Sequence, residues 1–291
     1  MNLREHIAEA KRKKIAIGHF NVSTVDGIWA VADAALELKV PVIIGVSEGE
    51  RDYIGVRQAV AIVRSIREER GQEIFLNADH TYSLARVEEA IDAGFDSVIF
   101  DGAQLSLEEN IEMTKKCVEY AKNHSAADNR DILVEGELGF IGKSSKVMDS
   151  IPVGAVVGDD QMTKPDDAAR FVCETKVDLL APAVGNIHGM IRGGDPALNT
   201  ALVGKISQST GIPVVLHGAS GNSSEDIQKA IKAGIAIVHI NTELRVAYRA
   251  ALVKSLSEDP EEVSPYKYLK PAKIAMQKVV MDKLRLFNGL L

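Results

Sequence analysis

Short apolar runs rich in β-branched residues recur along the chain, and each is followed by a longer stretch with the 3.6-residue periodicity of an amphipathic helix. The runs do not alternate polar with apolar residues, which indicates strands buried on both faces of a parallel sheet. About eight such units point to a single closed (β/α)₈ TIM barrel of the α/β class. A doubly wound open sheet would need GxGxxG after the first strand, where this chain has GHFNVST.

The boundaries follow from this pattern and from local stop signals. Glycines close several helices, and serines stand at N-cap positions. We predict strands at 15–21, 40–47, 73–80, 97–102, 132–139, 179–184, 212–218 and 236–241. We predict helices at 24–38, 53–70, 84–93, 107–123, 164–175, 196–210, 224–233 and 243–256. Residues 1–258 are interpreted as the barrel domain, and 259–291 as a C-terminal helical extension that packs on the barrel or at a subunit interface.

Composition excludes several functional classes. A net charge of -7 argues against a protein that binds nucleic acid through its phosphates. No run approaches the roughly 18 apolar residues of a membrane span, and residues 1–14 lack the apolar stretch of a signal peptide. Two cysteines cannot form a disulfide framework. We therefore expect a cytoplasmic protein with no membrane or nucleic-acid partner.

Polar residues collect where the predicted strands end. In a barrel these ends form the mouth that carries catalytic residues. Four of the seven histidines lie there, and neutral imidazole is a common zinc ligand, so their convergence favours a metal site. His6 and His124 are expected on helices and in solvent, while His19 could face the mouth or pack. The residues at strand ends are Asn21, Ser47, Asp79, His80, Asp101, Glu135, Glu137, His188, His217, His239 and Asn241.

Two glycine-rich stretches are candidates for phosphate binding. HGASG at 217–221 runs from a strand into a helix that begins near Ser224, so backbone N–H groups and the helix N-terminus can approach an anion. GNIHGMIRGGDP at 185–196 places His188 and Arg192 on a long loop after a strand. Such loops in a compact domain are usually functional.

These motifs together resemble the class II, zinc-dependent ketose-bisphosphate aldolases, which include the fructose 1,6-bisphosphate and tagatose 1,6-bisphosphate enzymes. The resemblance covers roughly residues 3–256. The segments that carry it are LNADH (76–80), AGFDSVIFDGAQLSLEENI (93–111), VEGELG (134–139), VDLLAPAVGNIHG (177–189), VVLHGASG (214–221) and HINTELR (239–245).

The resemblance implies a retro-aldol cleavage of fructose 1,6-bisphosphate to dihydroxyacetone phosphate and glyceraldehyde 3-phosphate, a step of glycolysis and gluconeogenesis. It implies a catalytic Zn²⁺ on His80, His188 and His217, with Asp79 as proton donor and acceptor at the C4 hydroxyl. Asp101 and Glu137 match positions that can hold a second or displaced metal. The substrate and phosphate contacts, beside a monovalent cation (Na⁺ or K⁺), would be Asn21, Ser47, Gly189, Gly218, Ala219, Ser220, His239, Asn241 and Thr242. The family also implies a homodimer or homotetramer.

The residue types suit this chemistry. Three protein ligands leave zinc an open position for substrate oxygens, and a carboxylate beside the first ligand can carry a proton. The alternative is a Schiff-base lysine, but no predicted strand ends in lysine, and Lys143 lies in a loop. A metal-dependent hydrolase is disfavoured because such barrels open with paired histidines.

Three departures from the family keep alternatives open. IGKSSK at 141–146 has Ser144 and Ser145 where the family has a mobile acid, so Glu135, Glu137 or a zinc-bound water remain candidates for the second proton transfer. His239 replaces the usual asparagine, and Asn241 matches neither the fructose nor the tagatose pattern. The far phosphate is assigned to Arg192 or to the loop of Lys143, Ser144 and Ser145. A tagatose-type aldolase and a non-catalytic sugar-phosphate sensor remain alternatives.

Overall fold

Eight parallel strands close into a barrel in the computed structural model, which describes residues 1–143, 145–151, 158 and 162–290. The barrel strands are β1 (Ile17–Asn21), β2 (Val42–Val46), β3 (Ile74–Thr81), β4 (Ser97–Phe100), β5 (Leu133–Leu138), β7 (Leu179–Pro182), β9 (Val214–Leu216) and β10 (Ile235–Ile240). Going round the barrel, the order is β1, β10, β9, β7, β5, β4, β3 and β2. The TIM-barrel prediction is confirmed. Two short strands, β6 (Val147–Met148) and β8 (Met190–Ile191), pair above the mouth-side loops.

Helices alternate with the strands. They are α1 (Leu3–Lys13), α2 (Val25–Leu38), α3 (Glu48–Ile54), α4 (Val56–Arg70), α5 (Leu84–Ala93), α6 (Leu107–Asp128), α7 (Pro165–Thr175), α8 (Thr200–Thr210), α9 (Ser224–Ala233), α10 (Thr242–Glu258), α11 (Pro265–Tyr268) and α12 (Lys270–Asn288). The expected single helix over 53–70 starts earlier and breaks at Gly55, whose φ of 94° favours glycine. None of these helices is long and apolar enough to cross a membrane.

The N-terminal end of the barrel is closed by α1. Its residues Leu3, Ile7 and Ala10 pack against the inward side chains of the strand starts, among them Phe75 and Leu133. Ligands must therefore enter from the opposite, C-terminal end.

The expectation that His6 is solvated is wrong. The side chain is 7% exposed, and its Nε2 lies 2.9 Å from a Glu73 carboxylate oxygen.

The C-terminal segment is part of the packing around the barrel. α12 lies against α2, α9 and β1, and a Cβ on Gly18 would stand 2.9 Å from its Leu284. α10 packs on α12 and buries only Thr242 and Leu244 of its own residues. The buried residues of α12 recur at helical spacing, so the helix has one apolar side, and that side covers β1. The division of the chain at 258/259 stays a prediction.

Candidate metal centre and active site

A cavity of about 260 Å³ opens at the C-terminal mouth of the barrel, where the sequence predicted a site. Most of the predicted site residues line it. They are Asn21, Ser47, Asp79, His80, His188, Gly189, His217, Gly218, Ser220, His239, Asn241 and Thr242. Ala219 is buried between two of these residues, and Asp101 and Glu137 lie behind His80. The cavity wall also contains Lys143, Ser145, Tyr82 and Arg245.

His80, His188 and His217 converge on one point. One ring nitrogen of each lies within 4.8 Å of the others, and His80 Nε2 is 3.3 Å from His217 Nδ1. They arrive from three places: the end of β3, the loop after β7 and the residue after β9. The spacing suits three ligands of one ion.

Each of these histidines has a partner on its other ring nitrogen. His80 Nδ1 lies 2.9 Å from Asp101 Oδ2, and His217 Nε2 lies 2.8 Å from Glu135 Oε1. His188 Nδ1 lies 2.5 Å from the Gly142 carbonyl oxygen. Such partners fix the ring orientation of metal-bound histidines in proteins. His80 Nε2, His188 Nε2 and His217 Nδ1 remain for the ion, so the residues present fit a bound divalent metal.

Two of the three rings, those of His188 and His217, are in the neutral form that a metal ligand needs. Burial lowers the pKa of His188 to about 4, and burial with His239 and His80 nearby lowers the pKa of His217 well below its usual value. Both rings are therefore neutral, as a metal ligand must be. Burial also lowers the pKa of His80, but Asp79 and two further carboxylates outweigh it and raise that pKa well above its usual value.

A bulge in β3 brings Asp79 and His80 to the same side. The register against β4 shifts between Ala78 and Thr81, and His80 has a φ of 38°. Consecutive residues of a regular strand point to opposite faces, so without the bulge only one of the pair could face the mouth. With it, Asp79 Oδ2 lies 3.9 Å from His80 Nε2.

Asp79 is buried and ionised. Asn21 Nδ2 donates a 2.8 Å hydrogen bond to its Oδ2, and His239 Nδ1 lies 3.5 Å from its Oδ1. Burial raises the pKa of Asp79, but His80, His239 and His19 outweigh burial and hold that pKa well below its usual value. The carboxylate is therefore ionised at neutral pH, and neither of its oxygens carries a proton.

His19 and His239 form a stacked column with His217. The His19 and His239 ring centroids are 3.4 Å apart with planes 3° apart, and His217 lies 3.9 Å beyond. The nitrogen lone pairs lie in the ring planes, so parallel rings cannot aim at one ion. We therefore interpret the group of His19, Asp79 and His239 as packing around the carboxylate, although its ligand atoms lie within 4.8 Å of one another. The His19 ring faces the barrel interior and covers Gly45, where a Cβ would stand 2.0 Å from the ring.

Asp101 and Glu137 form a second possible ligand group with His80. Glu137 Oε2 lies 3.5 Å from His80 Nδ1 and is buried without a hydrogen-bond partner among the described residues. Burial and the neighbouring Asp101 raise the pKa of Glu137 well above its usual value. An unpartnered carboxylate oxygen at this place suits a second or displaced metal position.

The predicted phosphate turn has the necessary backbone. Gly218 has a φ of 62°, and a Cβ there would stand 2.2 Å from the Ile187 carbonyl oxygen, so only glycine fits. A short 3₁₀ helix, Ala219–Gly221, follows. Ser220 Oγ accepts a 3.2 Å hydrogen bond from Asn241 N, which ties the turn to the start of α10. Asn241 Oδ1 is buried without a hydrogen-bond partner among the described residues.

The sequence offered two alternatives for binding the far phosphate: Arg192 and the loop of Lys143. The side chain of Arg192 is 72% exposed, pairs with Asp149 and does not line the cavity. Lys143 lies 4.9 Å above the Tyr82 ring and does line it, as does Ser145. Ser144 lies outside the described residues. Of the two candidates for the far phosphate, the loop is the one at the cavity.

Sequence reasoning missed a carboxylate at the cavity edge. Glu50 is 5% exposed and accepts hydrogen bonds from Ser47 N, at 2.8 Å, and from Asn21 Nδ2, at 3.1 Å. Its Oε1 pairs with Arg245 Nη2 at 2.5 Å. The Ser47 hydroxyl, expected to contact substrate, donates to Glu50 at 2.9 Å. The capping-box spacing of Ser47 and Glu50 was the available signal.

Comparisons with known proteins show the family to which the chain belongs. The family model described as fructose-bisphosphate aldolase class-II matches residues 1–289. The fructose-bisphosphate aldolase of Geobacillus stearothermophilus is 37% identical over 99% of this chain and 97% of its own length. The probable fructose-bisphosphate aldolase of Bacillus subtilis is 37% identical over 99% and 98%. The crystal structure of the YdjI aldolase from Escherichia coli K12 superposes with a TM-score of 0.81 and 30% identity, covering 98% of this chain and 96% of that one. The chain belongs to the class II fructose-bisphosphate aldolase family, whose members are metal-dependent lyases.

Proposed function

We propose that this protein cleaves fructose 1,6-bisphosphate reversibly to dihydroxyacetone phosphate and glyceraldehyde 3-phosphate, with Zn²⁺ on His80, His188 and His217. One observation carries the proposal. Three histidines with fixed outer ring nitrogens converge within 4.8 Å, beside a buried, ionised Asp79. A binding protein for sugar phosphates has no need of a proton carrier in that place, which disfavours the sensor alternative.

The metal supplies one part of the chemistry. When bound, zinc acts as a Lewis acid that stabilises the negative charge developing on the three-carbon ketone during cleavage. An all-nitrogen donor set with an open fourth position is typical of catalytic zinc. Asp101 and Glu137 are proposed as the second or displaced metal position, on the strength of the unpartnered Glu137 oxygen.

Asp79 is proposed to accept the proton of the C4 hydroxyl in cleavage and to return it in condensation. The Asn21 amide orients one of its oxygens, and its other oxygen, Oδ1, is buried without a hydrogen-bond partner among the described residues. His239 borders the same carboxylate. This arrangement holds the carboxylate in place while keeping a lone pair for substrate.

The phosphate of the dihydroxyacetone half is proposed to bind at Gly189, Gly218, Ala219, Ser220 and Thr242. Backbone N–H groups at this turn and at the start of α10 provide donors and positive potential. Asn241, with its unpartnered Oδ1, and a monovalent cation (Na⁺ or K⁺) complete this proposal. Asn21, Ser47 and His239 are proposed to contact the remainder of the substrate.

A coupled cleavage assay tests the function. Purified protein is treated with EDTA, then assayed with fructose 1,6-bisphosphate before and after adding zinc or cobalt. We expect cleavage only with metal. Activity that survives EDTA, or an imine trapped by borohydride, would refute the mechanism. Tagatose 1,6-bisphosphate run in parallel identifies the alternative aldolase, and tight binding without turnover identifies the sensor.

We further propose a homodimer or homotetramer in the cytoplasm. The outer part of the C-terminal region exposes apolar side chains, with Val253 at 54%, Val263 at 82% and Tyr266 at 76%. A second copy of the chain would cover them. Cys117 and Cys173 are free thiols, which suits a reducing compartment. Sedimentation of the wild type against Val253→Lys tests the assembly: we expect the variant to be smaller.

A further inference from the structure

Arg51 is the largest fully buried side chain in the part of the chain that the structure describes, with 0% exposure. Buried arginine is normally paired with a carboxylate. No carboxylate of the described residues forms an ion pair with Arg51. Its guanidinium instead donates to backbone and hydroxyl oxygens, so its position in the fold calls for another explanation.

All of those oxygens border the bulge in β3. Arg51 Nη1 donates to the Val46 carbonyl at 2.8 Å and to the Asp79 carbonyl at 3.1 Å. Arg51 Nη2 donates to Thr81 Oγ1 at 3.1 Å. The pairing of β2 with β3 ends at Val46 and Ala78, so these donors continue the connection where the strand ladder stops.

The bulge decides where the reactive groups point. It contains Asp79 and His80, and His80 occupies the left-handed region at a φ of 38°, which is costly for a residue other than glycine. Thr81 also fixes β4, since its carbonyl accepts a 2.9 Å hydrogen bond from Asp101 N. The Asp101 carboxylate in turn holds His80 Nδ1.

We infer that Arg51 is a positioning residue that holds the β3 bulge, and through it the Asp79 carboxylate and the His80 ring, in register for metal binding and proton transfer. The inference rests on the proposed function for its kinetic consequence. Its consequence for metal affinity holds whatever the substrate is.

Arg67 offers a matched control at the other end of the same strand. Its Nε and Nη2 donate to the Ile74 carbonyl at 3.0 and 2.7 Å, and Nη2 pairs with Asp96. It therefore also ties the backbone of β3, but at the closed end of the barrel. Arg51→Lys and Arg67→Lys each keep the charge and lose the fork of donors.

The experiment makes three measurements on each protein. The first is the zinc affinity of the metal-free protein, by competition with a chelating dye. The others are the melting temperature and the kcat and KM for fructose 1,6-bisphosphate. For Arg51→Lys we expect zinc affinity to fall about 10–100-fold, as when outer partners of metal ligands are lost. We expect kcat to fall about 10²-fold with a smaller change in KM, because catalytic groups are displaced. Arg67→Lys should keep both, whatever its melting temperature.

Thr81 provides a second route if Arg51→Lys does not fold. Thr81→Val removes one acceptor of the guanidinium without changing side-chain shape. It should lower zinc affinity and kcat, each by less than Arg51→Lys does. Thr81→Ser keeps the hydroxyl and should have the zinc affinity and kcat of the wild type. Wild-type zinc affinity in Arg51→Lys or Thr81→Val would overturn the inference, as would equal losses in Arg67→Lys. If the wild type binds zinc but cleaves no ketose phosphate, the proposed function fails and the affinity comparison still decides this one.

Discussion

The two ends of the barrel are formed by the same strands, but they differ in where their polar side chains lie. At the closed end, α1 inserts Leu3 and Ile7 among apolar strand starts, and the charges stand at the rim in ion pairs such as Arg4 with Asp178. At the mouth, carboxylates and imidazoles are buried together, and Asp79 and Glu137 each keep an oxygen without a hydrogen-bond partner among the described residues. One end is apolar and contributes to stability, whereas we infer that the unpartnered groups at the mouth serve the proposed metal and substrate.

The largest effect is expected for the carboxylate at the mouth. Asp79→Ala should retain zinc and lower kcat by about 10²–10⁴-fold, because positioned proton transfer contributes that much. Asp96→Ala is the matched control at the closed end, where Asp96 Oδ2 accepts from Leu76 N and pairs with Arg67. That variant should lose stability and keep turnover. Steady-state kinetics with metal added decides, and normal turnover by Asp79→Ala would show that another group carries the proton.

The second effect belongs to the closed end. Ile7 is 1% exposed at the centre of the α1 contact, so Ile7→Ala should lower the free energy of unfolding by about 2–5 kcal/mol. Urea denaturation of the metal-free protein measures it. The kcat of the folded variant should match the wild type below its unfolding transition. A kcat loss as large as that of Asp79→Ala would mean that the two ends are coupled.

The mouth could be predicted from the sequence to a greater extent than the closed end. Apolar runs located the barrel strands, and strand-end histidines located the mouth, because both signals lie along the local chain. The role of α1 was missed because its few apolar residues are spaced among charged ones. The strand starts that they pack against are distant in the sequence. Glu50 and Arg51 were missed for a related reason. Their side chains reach back from a helix to the ends of neighbouring strands, which no local pattern reports.

The bulge in β3 shows the same limit within one motif. The sequence placed Asp79 and His80 side by side at a strand end, but in a regular strand they would face opposite ways. Only the register shift against β4 brings both to the mouth. The resemblance to a family supplied the roles of these residues, and the backbone geometry supplies the physical reason that two neighbours can share one site.

A third prediction concerns pH and the imidazoles at the mouth. The pKa of His188 falls to about 4 in the fold from 6.5. As pH falls from 6.5 towards 4, the unfolded chain takes up a proton that folded His188 excludes, so the metal-free protein should lose stability in this window. His80 acts in the opposite direction, because its pKa is raised: its contribution is complete below 6.5 and is lost as pH rises through the folded value.

The difference between wild type and variant isolates His188. Relative to the wild type, His188→Asn should flatten the fall in melting temperature of EDTA-treated protein between pH 6.5 and 4. An unchanged slope in His188→Asn would contradict a neutral, buried imidazole at this position. Zinc should steepen the wild-type dependence, because binding requires neutral ligands.

The smallest effect is expected at the rim of the closed end. Arg4 pairs with Asp131 and Asp178 at 2.8 and 2.7 Å, but its side chain is 48% exposed. Water screens such pairs, and exposed ion pairs contribute at most about 1 kcal/mol. Arg4→Ala should therefore change the free energy of unfolding by less than Ile7→Ala, and 1 M salt should remove most of the difference from wild type. Urea denaturation at low and high salt measures it. An effect equal to that of Ile7→Ala would mean that rim charges, and not the apolar insert of α1, hold the barrel closed.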